Sequence, residues 1–128
     1  MRDEEICGAE CSSIPAEIEE ELSRSGGIAG LIEKLPGETE IEAASKTYRA
    51  LADPVRIKIL YLLMLQPLCV CVIKIVMKMA DSRLSYHLNI LKKAGMIEGE
   101  QQGYYIIYNI TPDARKLMEK ENKRLLSK

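Results

Sequence analysis

The sequence predicts a mainly α-helical chain that carries one β-hairpin, and three observations support this fold class. Apolar residues recur at helical spacing between residues 41 and 93. After Gly95, two short runs have the composition of strands, Met96-Ile97-Glu98 and Tyr104 to Ile110, with Gly103 in the turn between them. Thr111-Pro112 then begins a final helix. Two short helices before a hairpin are typical of a winged helix-turn-helix.

The first 40 residues differ in character from the rest of the chain. We expect an arm over residues 1–14, a helix that begins near Pro15, an interruption at Gly26-Gly27 and an end at Pro36-Gly37. This region has 3 basic and 11 acidic residues, whereas residues 41–128 have 15 basic and 8 acidic residues. We therefore predict an acidic N-terminal arm and helix at 1–40, and a winged helix-turn-helix domain for DNA binding and dimerisation at 41–128.

Capping signals define the first two helices of the second region. Thr39 and Glu42 have the spacing of a capping box. Asp53 is a cap before Pro54, and the helix that starts there should run to about Leu65. The apolar stripe of the first of these helices consists of Ile41, Ala44, Tyr48 and Leu51.

The later helices follow from apolar spacing. A short helix is expected from about Leu68 to Met79, and the next from Asp81 or Ser82 to a C-cap at Gly95. The expected buried face of the short helix consists of Val72, Ile75, Val76 and Met79. The last helix has Leu117, Met118 and Leu125 on one side. Since the apolar faces of residues 41–51 and 112–126 have no obvious partner in the DNA-binding unit, we expect them to form a symmetric dimer interface.

Charge and hydropathy indicate the class of partner. The basic excess of residues 41–128 favours a polyanion, although a solvated charged surface would give the same composition. No apolar run approaches the roughly 20 residues that span a bilayer, and Met1 to Glu5 lack the apolar stretch of a signal peptide. We therefore expect a cytoplasmic protein with no membrane partner.

The helix from Asp81 has the features of a DNA-reading helix. At about 100° per residue, Leu84, Leu88 and Leu91 define its core face. The opposite face and its flanks carry donors, a phenol and cations, which can contact phosphates and base edges: Ser82, Arg83, Ser85, Tyr86, Asn89 and Lys93. An ordinary solvated helix face is the alternative. His87 lies near the core side, which favours an anchoring histidine over a metal ligand.

Four cysteines occur as two pairs, Cys7 with Cys11 and Cys69 with Cys71. In a cytosolic protein such pairs favour metal binding or redox chemistry over a structural disulfide. Cys69 and Cys71 would point apart in a regular helix, but at an irregular helix start after Pro67 both sulfurs can converge. Two small core residues, and for Cys7 and Cys11 an incidental spacing, are the alternatives.

The second region resembles the ArsR/SmtB family of metal-responsive repressors over about residues 43–112. The matching segments are Leu51-Ala52-Asp53-Pro54-Val55-Arg56-Ile57-Lys58-Ile59-Leu60, Leu68-Cys69-Val70-Cys71, Ser85-Tyr86-His87-Leu88-Asn89-Ile90-Leu91-Lys92-Lys93-Ala94-Gly95-Met96-Ile97, and Gly103 with Tyr108. The resemblance implies a homodimer that occupies an inverted-repeat operator in double-stranded DNA and releases it when metal binds.

The resemblance also implies the site residues. The cysteine layout is similar to that of the cadmium/lead-responsive, CadC-like branch. This similarity implies that four cysteines of this chain hold Cd(II), Pb(II), Zn(II) or As(III): Cys7, Cys11, Cys69 and Cys71. Candidate DNA contacts are the face of the Asp81 helix together with Lys92 and the wing residues Gln101 and Gln102. Val72 stands where the family usually has an acidic residue, and Glu100 makes this wing less basic than usual.

Three other functions compete with the metal sensor. A thiol redox switch would use the same fold with oxidation as the signal. An enzyme has little support, because one histidine near a core face forms no catalytic constellation. A winged helix that binds only protein would use the acidic arm in place of DNA contacts.

Overall fold

The computed structural model of this chain describes residues 14–126, with side chains described through residue 124. Its elements, in order, are α1 (Ala16–Arg24), α2 (Gly27–Lys34), α3 (Glu38–Leu51), α4 (Pro54–Leu65), β1 (Leu68–Cys69), α5 (Val70–Met77), α6 (Asp81–Lys93), β2 (Ile97–Gln102), β3 (Tyr105–Ile110) and α7 (Pro112–Leu126). The fold class is the predicted one, mainly α with a β-hairpin. Among the described residues, no helix is long and apolar enough to cross a membrane.

The chain divides into two compact units after Ile41. The first unit contains α1 and α2, which meet at Gly26 and Gly27. Both glycines have positive φ values, 90° and 75°, which L-residues with a side chain rarely adopt. Neither helix has a buried residue, so the apolar side chains of these two helices stay largely exposed.

The second unit has the hydrophobic core. Every element from α3 to α7 except β1 contributes at least one buried residue to it. The largest fully buried side chains are Ile59, Leu60, Leu63, Ile73, Leu84, Leu91, Ile97 and Met118. This core fixes the position of α6 because α6 contributes Leu84, Leu88 and Leu91 to it, as its spacing predicts.

The helix starts show one confirmed prediction and one wrong one. Asp53 caps α4, since its carboxylate accepts a hydrogen bond from the Val55 N–H at 2.8 Å. The Thr39–Glu42 capping box is wrong, because α3 already begins at Glu38. The Gly37 N–H donates to Glu40 Oε1 at 2.9 Å, so the side chain that reaches back to the helix start lies two residues before the predicted Glu42.

The predicted helix from Leu68 to Met79 is shorter in the structure. Leu68 and Cys69 instead form β1, which pairs antiparallel with β3 in the register Leu68↔Tyr108 and Cys69↔Ile107. The sheet therefore has three strands in the order β1-β3-β2, rather than two. A two-residue strand is too short to produce a detectable alternation, and the hydrogen bonds of β3 decide its conformation.

The predicted buried face of α5 is also wrong. Ile73 is the buried residue of this helix, whereas Val72, Ile75 and Val76 are exposed, Ile75 to 73%. Met79 lies beyond the end of the helix and packs partly against the core. The helix is apolar on nearly all sides, so its spacing alone does not show which side faces the core.

The end of α6 and the hairpin follow the prediction closely. Gly95 has a φ of 75°, and its N–H donates to the Lys92 carbonyl while the Met96 N–H donates to that of Leu91. These two bonds form a Schellman motif. Strand β2 extends to Gln102, beyond the predicted Glu98, and Gly103 lies in the turn as predicted.

Candidate nucleic-acid interface and thiol site

The predicted reading face of α6 is accessible. Its core side is closed by Leu84, Leu88 and Leu91, which are at most 3% exposed. The residues predicted to contact DNA from this helix are all exposed: Ser82, Arg83, Ser85, Tyr86, Asn89, Lys92 and Lys93. Hydroxyl, amide, phenol and cationic groups therefore share one surface, which can both pair with phosphates and read base edges.

A depression of about 530 Å³ joins this face to the neighbouring elements. From α6 it includes Ser85, Tyr86, Asn89 and Lys92, while Val70 of α5 and Ile106 of β3, among others, complete its lining. The predicted reading face is therefore continuous with the hairpin. The two helices of the helix-turn-helix are also linked by an exposed ion pair, Lys74 Nζ to Asp81 Oδ1 at 2.9 Å, which adds little stability.

The hairpin presents the two predicted wing residues on its surface. Gln101 and Gln102 are both exposed, but Gln101 Nε2 donates to the Gly103 carbonyl at 2.9 Å and so stabilises the turn. Tyr104 at the tip is 98% exposed. A Cβ at Gly99 of β2 would meet Tyr108 Cε1 at 2.9 Å, so a larger residue there would displace the Tyr108 ring.

A buried arginine fastens α6 to the rest of the domain. Arg56 Nε donates to the Ala50 carbonyl at 2.7 Å and Nη2 donates to the Arg49 carbonyl at 3.2 Å, so Arg56 satisfies carbonyls at the C-terminal end of α3. Its Nη1 lies 3.1 Å from His87 Nδ1. A guanidinium can only donate, so Nδ1 accepts and the neutral imidazole carries its proton on Nε2.

This contact confirms His87 as an anchoring histidine of α6. Burial lowers the pKa of His87, the Asp53 carboxylate opposes that shift, and the Arg56 and Arg83 guanidinium groups add to it. Burial would raise the pKa of Asp53, but the Val55 N–H and the Arg56 charge outweigh it and keep the pKa low. The sequence predicts no role for Arg56, because the contact with His87 joins residues 31 positions apart.

The structure brings Cys69 and Cys71 together. Cys69 is both the end of β1 and the N-cap of α5, and Cys71 lies in the first turn of that helix. Their Cα atoms are 5.4 Å apart and their sulfurs are joined as a disulfide. The irregular helix start thus allows the convergence that a regular helix would prevent. As thiolates, the same two sulfurs would present soft ligands on one side of the chain.

The second cysteine pair, Cys7 and Cys11, lies outside the described residues. Within residues 14–124, no group of three or more His, Cys, Asp or Glu side chains is arranged to hold a metal ion. Once reduced, Cys69 and Cys71 would offer two thiolates, and a tetrahedral site would need further ligands. Since Cys69 pairs with Ile107, this site is attached directly to the hairpin as well as to α5.

Comparison with known proteins shows that the chain is similar to transcriptional regulators. The family described as bacterial regulatory protein, arsR family, matches residues 53–98. An uncharacterized HTH-type transcriptional regulator of Methanocaldococcus jannaschii is 40% identical over 56% of this chain and 82% of its own. A CadC homolog from Staphylococcus aureus, named as a cadmium resistance transcriptional regulatory protein, is 32% identical over 59% of this chain. This match covers 64% of the length of the CadC homolog. The SmtB repressor of Mycobacterium tuberculosis is 37% identical, and the match covers 52% of its length.

Solved structures share the fold. The crystal structure of Rv0081 from M. tuberculosis has a TM-score of 0.62 and 30% identity, covering 69% of this chain and 91% of that one. A homodimeric winged helix-turn-helix DNA-binding domain from Mycobacterium bovis has a TM-score of 0.64 over 72% of this chain and 93% of that one, with 23% identity. The curated relatives named above are transcriptional regulators and repressors, in agreement with the prediction of a regulator rather than an enzyme.

Proposed function

The chain belongs to the ArsR/SmtB family of transcriptional regulators, and from this premise we propose that it is a repressor that binds operator DNA as a homodimer and releases it on binding a thiophilic metal ion. The observation that carries the proposal is the meeting of Cys69 and Cys71 at the start of α5. That helix is the first of the helix-turn-helix, and the sulfurs therefore lie next to the DNA-reading element.

DNA binding is supported by the exposed face of α6. Three leucines hold that helix on the core, so its seven polar residues are presented by a rigid element. Arg83 and Tyr86 are the most informative of these, since one offers a bidentate donor and the other an exposed phenol. Gln101 and Gln102 in the hairpin would add uncharged contacts.

Dimerisation is supported by apolar surface on α3 and α7. Ile41 and Tyr48 of α3 are 50% and 64% exposed. A groove of about 370 Å³ runs between Tyr48, Tyr61 and Leu117, among others, and the buried Tyr61 hydroxyl has no hydrogen-bond partner among the described residues. A second copy would cover the apolar surface and could satisfy that hydroxyl.

The metal site is proposed to use thiolates from both cysteine pairs. Cys69 and Cys71, once reduced, would provide two ligands, and Cys7 and Cys11 of the arm would complete a four-thiolate set. Soft or borderline ions such as Cd(II), Pb(II), Zn(II) and As(III) fit sulfur ligands. The bound ion would supply a cross-link between the arm and the start of α5.

Two sets of contacts would transmit a structural change at the cysteines to the proposed DNA-binding surface. One runs through α5 to α6, across the Lys74–Asp81 ion pair. The other runs from Cys69 to Ile107 through the backbone pairing of β1 with β3, and so reaches the hairpin. For release, the ion must bind the DNA-free form more tightly, by about 1–3 kcal/mol for a typical coupling.

The test is a titration of metal into the protein–DNA complex under reducing conditions. Cys69→Ser should bind DNA like the wild type but fail to release it with Cd(II), Pb(II), Zn(II) or As(III), because a serine hydroxyl is not a soft ligand. Arg83→Ala is the control variant, and it should bind DNA more weakly while keeping the metal affinity of the wild type. Normal metal-driven release by Cys69→Ser would contradict the proposed site.

A second candidate function is favoured by the disulfide between Cys69 and Cys71. In this version hydrogen peroxide accepts two electrons from the two thiols, the sulfurs form a bond, and the two thiol protons leave with the peroxide oxygens as two molecules of water. The same fold would then sense oxidation. If the wild type releases DNA with peroxide but with none of the four ions, the redox switch replaces the metal sensor.

A further inference from the structure

A cleft of about 400 Å³ between α3 and α6 is lined by four cationic side chains. Lys46 and Arg49 come from α3, Arg56 from α4 and Lys93 from α6. The remaining lining residues are Tyr86 and small or aliphatic side chains, and none is acidic. A concave surface with one sign of charge concentrates the opposite charge, so this cleft attracts anions.

These cations have few counterions. Arg56 is 9% exposed, and the carboxylate closest to it, Asp53, lies 3.9 Å away, beyond hydrogen-bond distance. Its three hydrogen bonds go to two carbonyls and the imidazole of His87, which are neutral acceptors. Its ion pair with Asp53 offsets the charge of Arg56 only in part, so Arg56 adds to the positive potential of the cleft.

The cations at the mouth of the cleft are likewise available. Within the described part of the chain, Lys46, Arg49 and Lys93 take part in no ion pair. Arg49 Nη2 donates to Ser45 Oγ at 3.0 Å, which orients the guanidinium and leaves its charge unpaired. All three residues are exposed and can reach a ligand.

The position of Tyr86 identifies the ligand. Tyr86 lines this cleft and also the depression on the reading face of α6. A DNA duplex in contact with Tyr86 and Asn89 would therefore continue toward the cleft, and its backbone carries one phosphate every few ångströms. We propose that the cleft binds a backbone phosphodiester of the same duplex, with Lys46 and Arg49 of α3 as phosphate-contacting residues. This proposal rests on the proposed DNA-binding function and adds α3 to the DNA surface.

The experiment measures how the affinity for a fluorescein-labelled, random-sequence duplex depends on salt. Phosphate contacts do not depend on sequence, so no operator is needed. Lys46→Ala and Arg49→Ala should each reduce the slope of log K against log salt by about 0.9, and the double variant by about 1.8. Between 50 and 200 mM salt, the wild type should then lose about tenfold more affinity than the double variant. Lys58→Ala, at an exposed position of α4 outside the cleft lining, should keep the wild-type slope.

The outcomes separate this inference from the function on which it rests. Salt-dependent binding by the wild type with unchanged slopes in both α3 variants supports DNA binding but overturns the role of the cleft. Titration of the wild type with inorganic phosphate covers the other source of the same ligand. Saturable phosphate binding that Lys46→Ala abolishes, together with unchanged DNA slopes, would assign the cleft to a free phosphate and overturn the duplex proposal. No salt-dependent duplex binding by the wild type would overturn both.

Discussion

Replacing Arg56 with alanine tests the buried contact that joins α3, α4 and α6. The substitution removes a guanidinium whose three hydrogen bonds reach the Ala50 carbonyl at 2.7 Å, the Arg49 carbonyl at 3.2 Å and the His87 imidazole at 3.1 Å. The carbonyls lie near the end of α3 and the imidazole lies on α6, so the change should loosen both helices at once.

The magnitude follows from the burial of these groups. A hydrogen bond to a charged group contributes about 1.5–3 kcal/mol, and a buried acceptor left without its donor costs about 1–3 kcal/mol. Relief of the desolvation of Arg56 offsets part of the loss. We expect Arg56→Ala to lower the free energy of unfolding by about 3 kcal/mol, and Arg56→Lys by less, because a lysine keeps the charge but not the planar geometry.

Urea unfolding followed by circular dichroism, at fixed protein concentration and pH 7.5, measures this difference. Arg49→Ala is the control, since it removes an exposed guanidinium that makes one hydrogen bond, to Ser45, and should cost less than about 0.5 kcal/mol. If Arg56→Ala is no more than 1 kcal/mol less stable than that control, Arg56 does not fasten the helices as argued.

Three further predictions concern other parts of the domain. Gly99→Ala should lower the melting temperature, because its Cβ would meet the buried Tyr108 ring at 2.9 Å and overpacking costs about 1–3 kcal/mol. Gly37→Ala is the control and should leave the melting temperature unchanged. Equal melting temperatures for the two variants would contradict this prediction. The pKa of His87 is lowered on folding, so the free energy of unfolding should fall as the pH drops below about 6.5. In His87→Asn this free energy should depend less on pH, and urea unfolding at several pH values measures the difference. Tyr48→Asp should give monomers in sedimentation experiments, and an unchanged dimer would exclude this face.

Local signals in the sequence were sufficient for much of the fold and for part of the site. Asp53-Pro54 starts α4 and Gly95 ends α6, because a cap and a positive φ depend on residues close in the chain. The core face of α6 follows from its three leucines, and its exposed polar face follows from the same period. The convergence of Cys69 and Cys71 was predicted because a helix start after a proline allows it.

Features that depend on residues far apart in the chain appear only in the folded domain. Leu68 and Cys69 form a strand because β3, about 40 residues later, offers hydrogen bonds to them, and this pairing ties the thiol site to the hairpin. The orientation of α5, with Ile73 buried and Ile75 exposed, is set by the elements packed around it, since the helix is apolar on nearly every side. The start of α4, the end of α6 and the exposed polar face of α6 follow from the sequence, because each rests on interactions within one or two turns. The Arg56–His87 contact and the cationic cleft exist only where folding brings separate helices together.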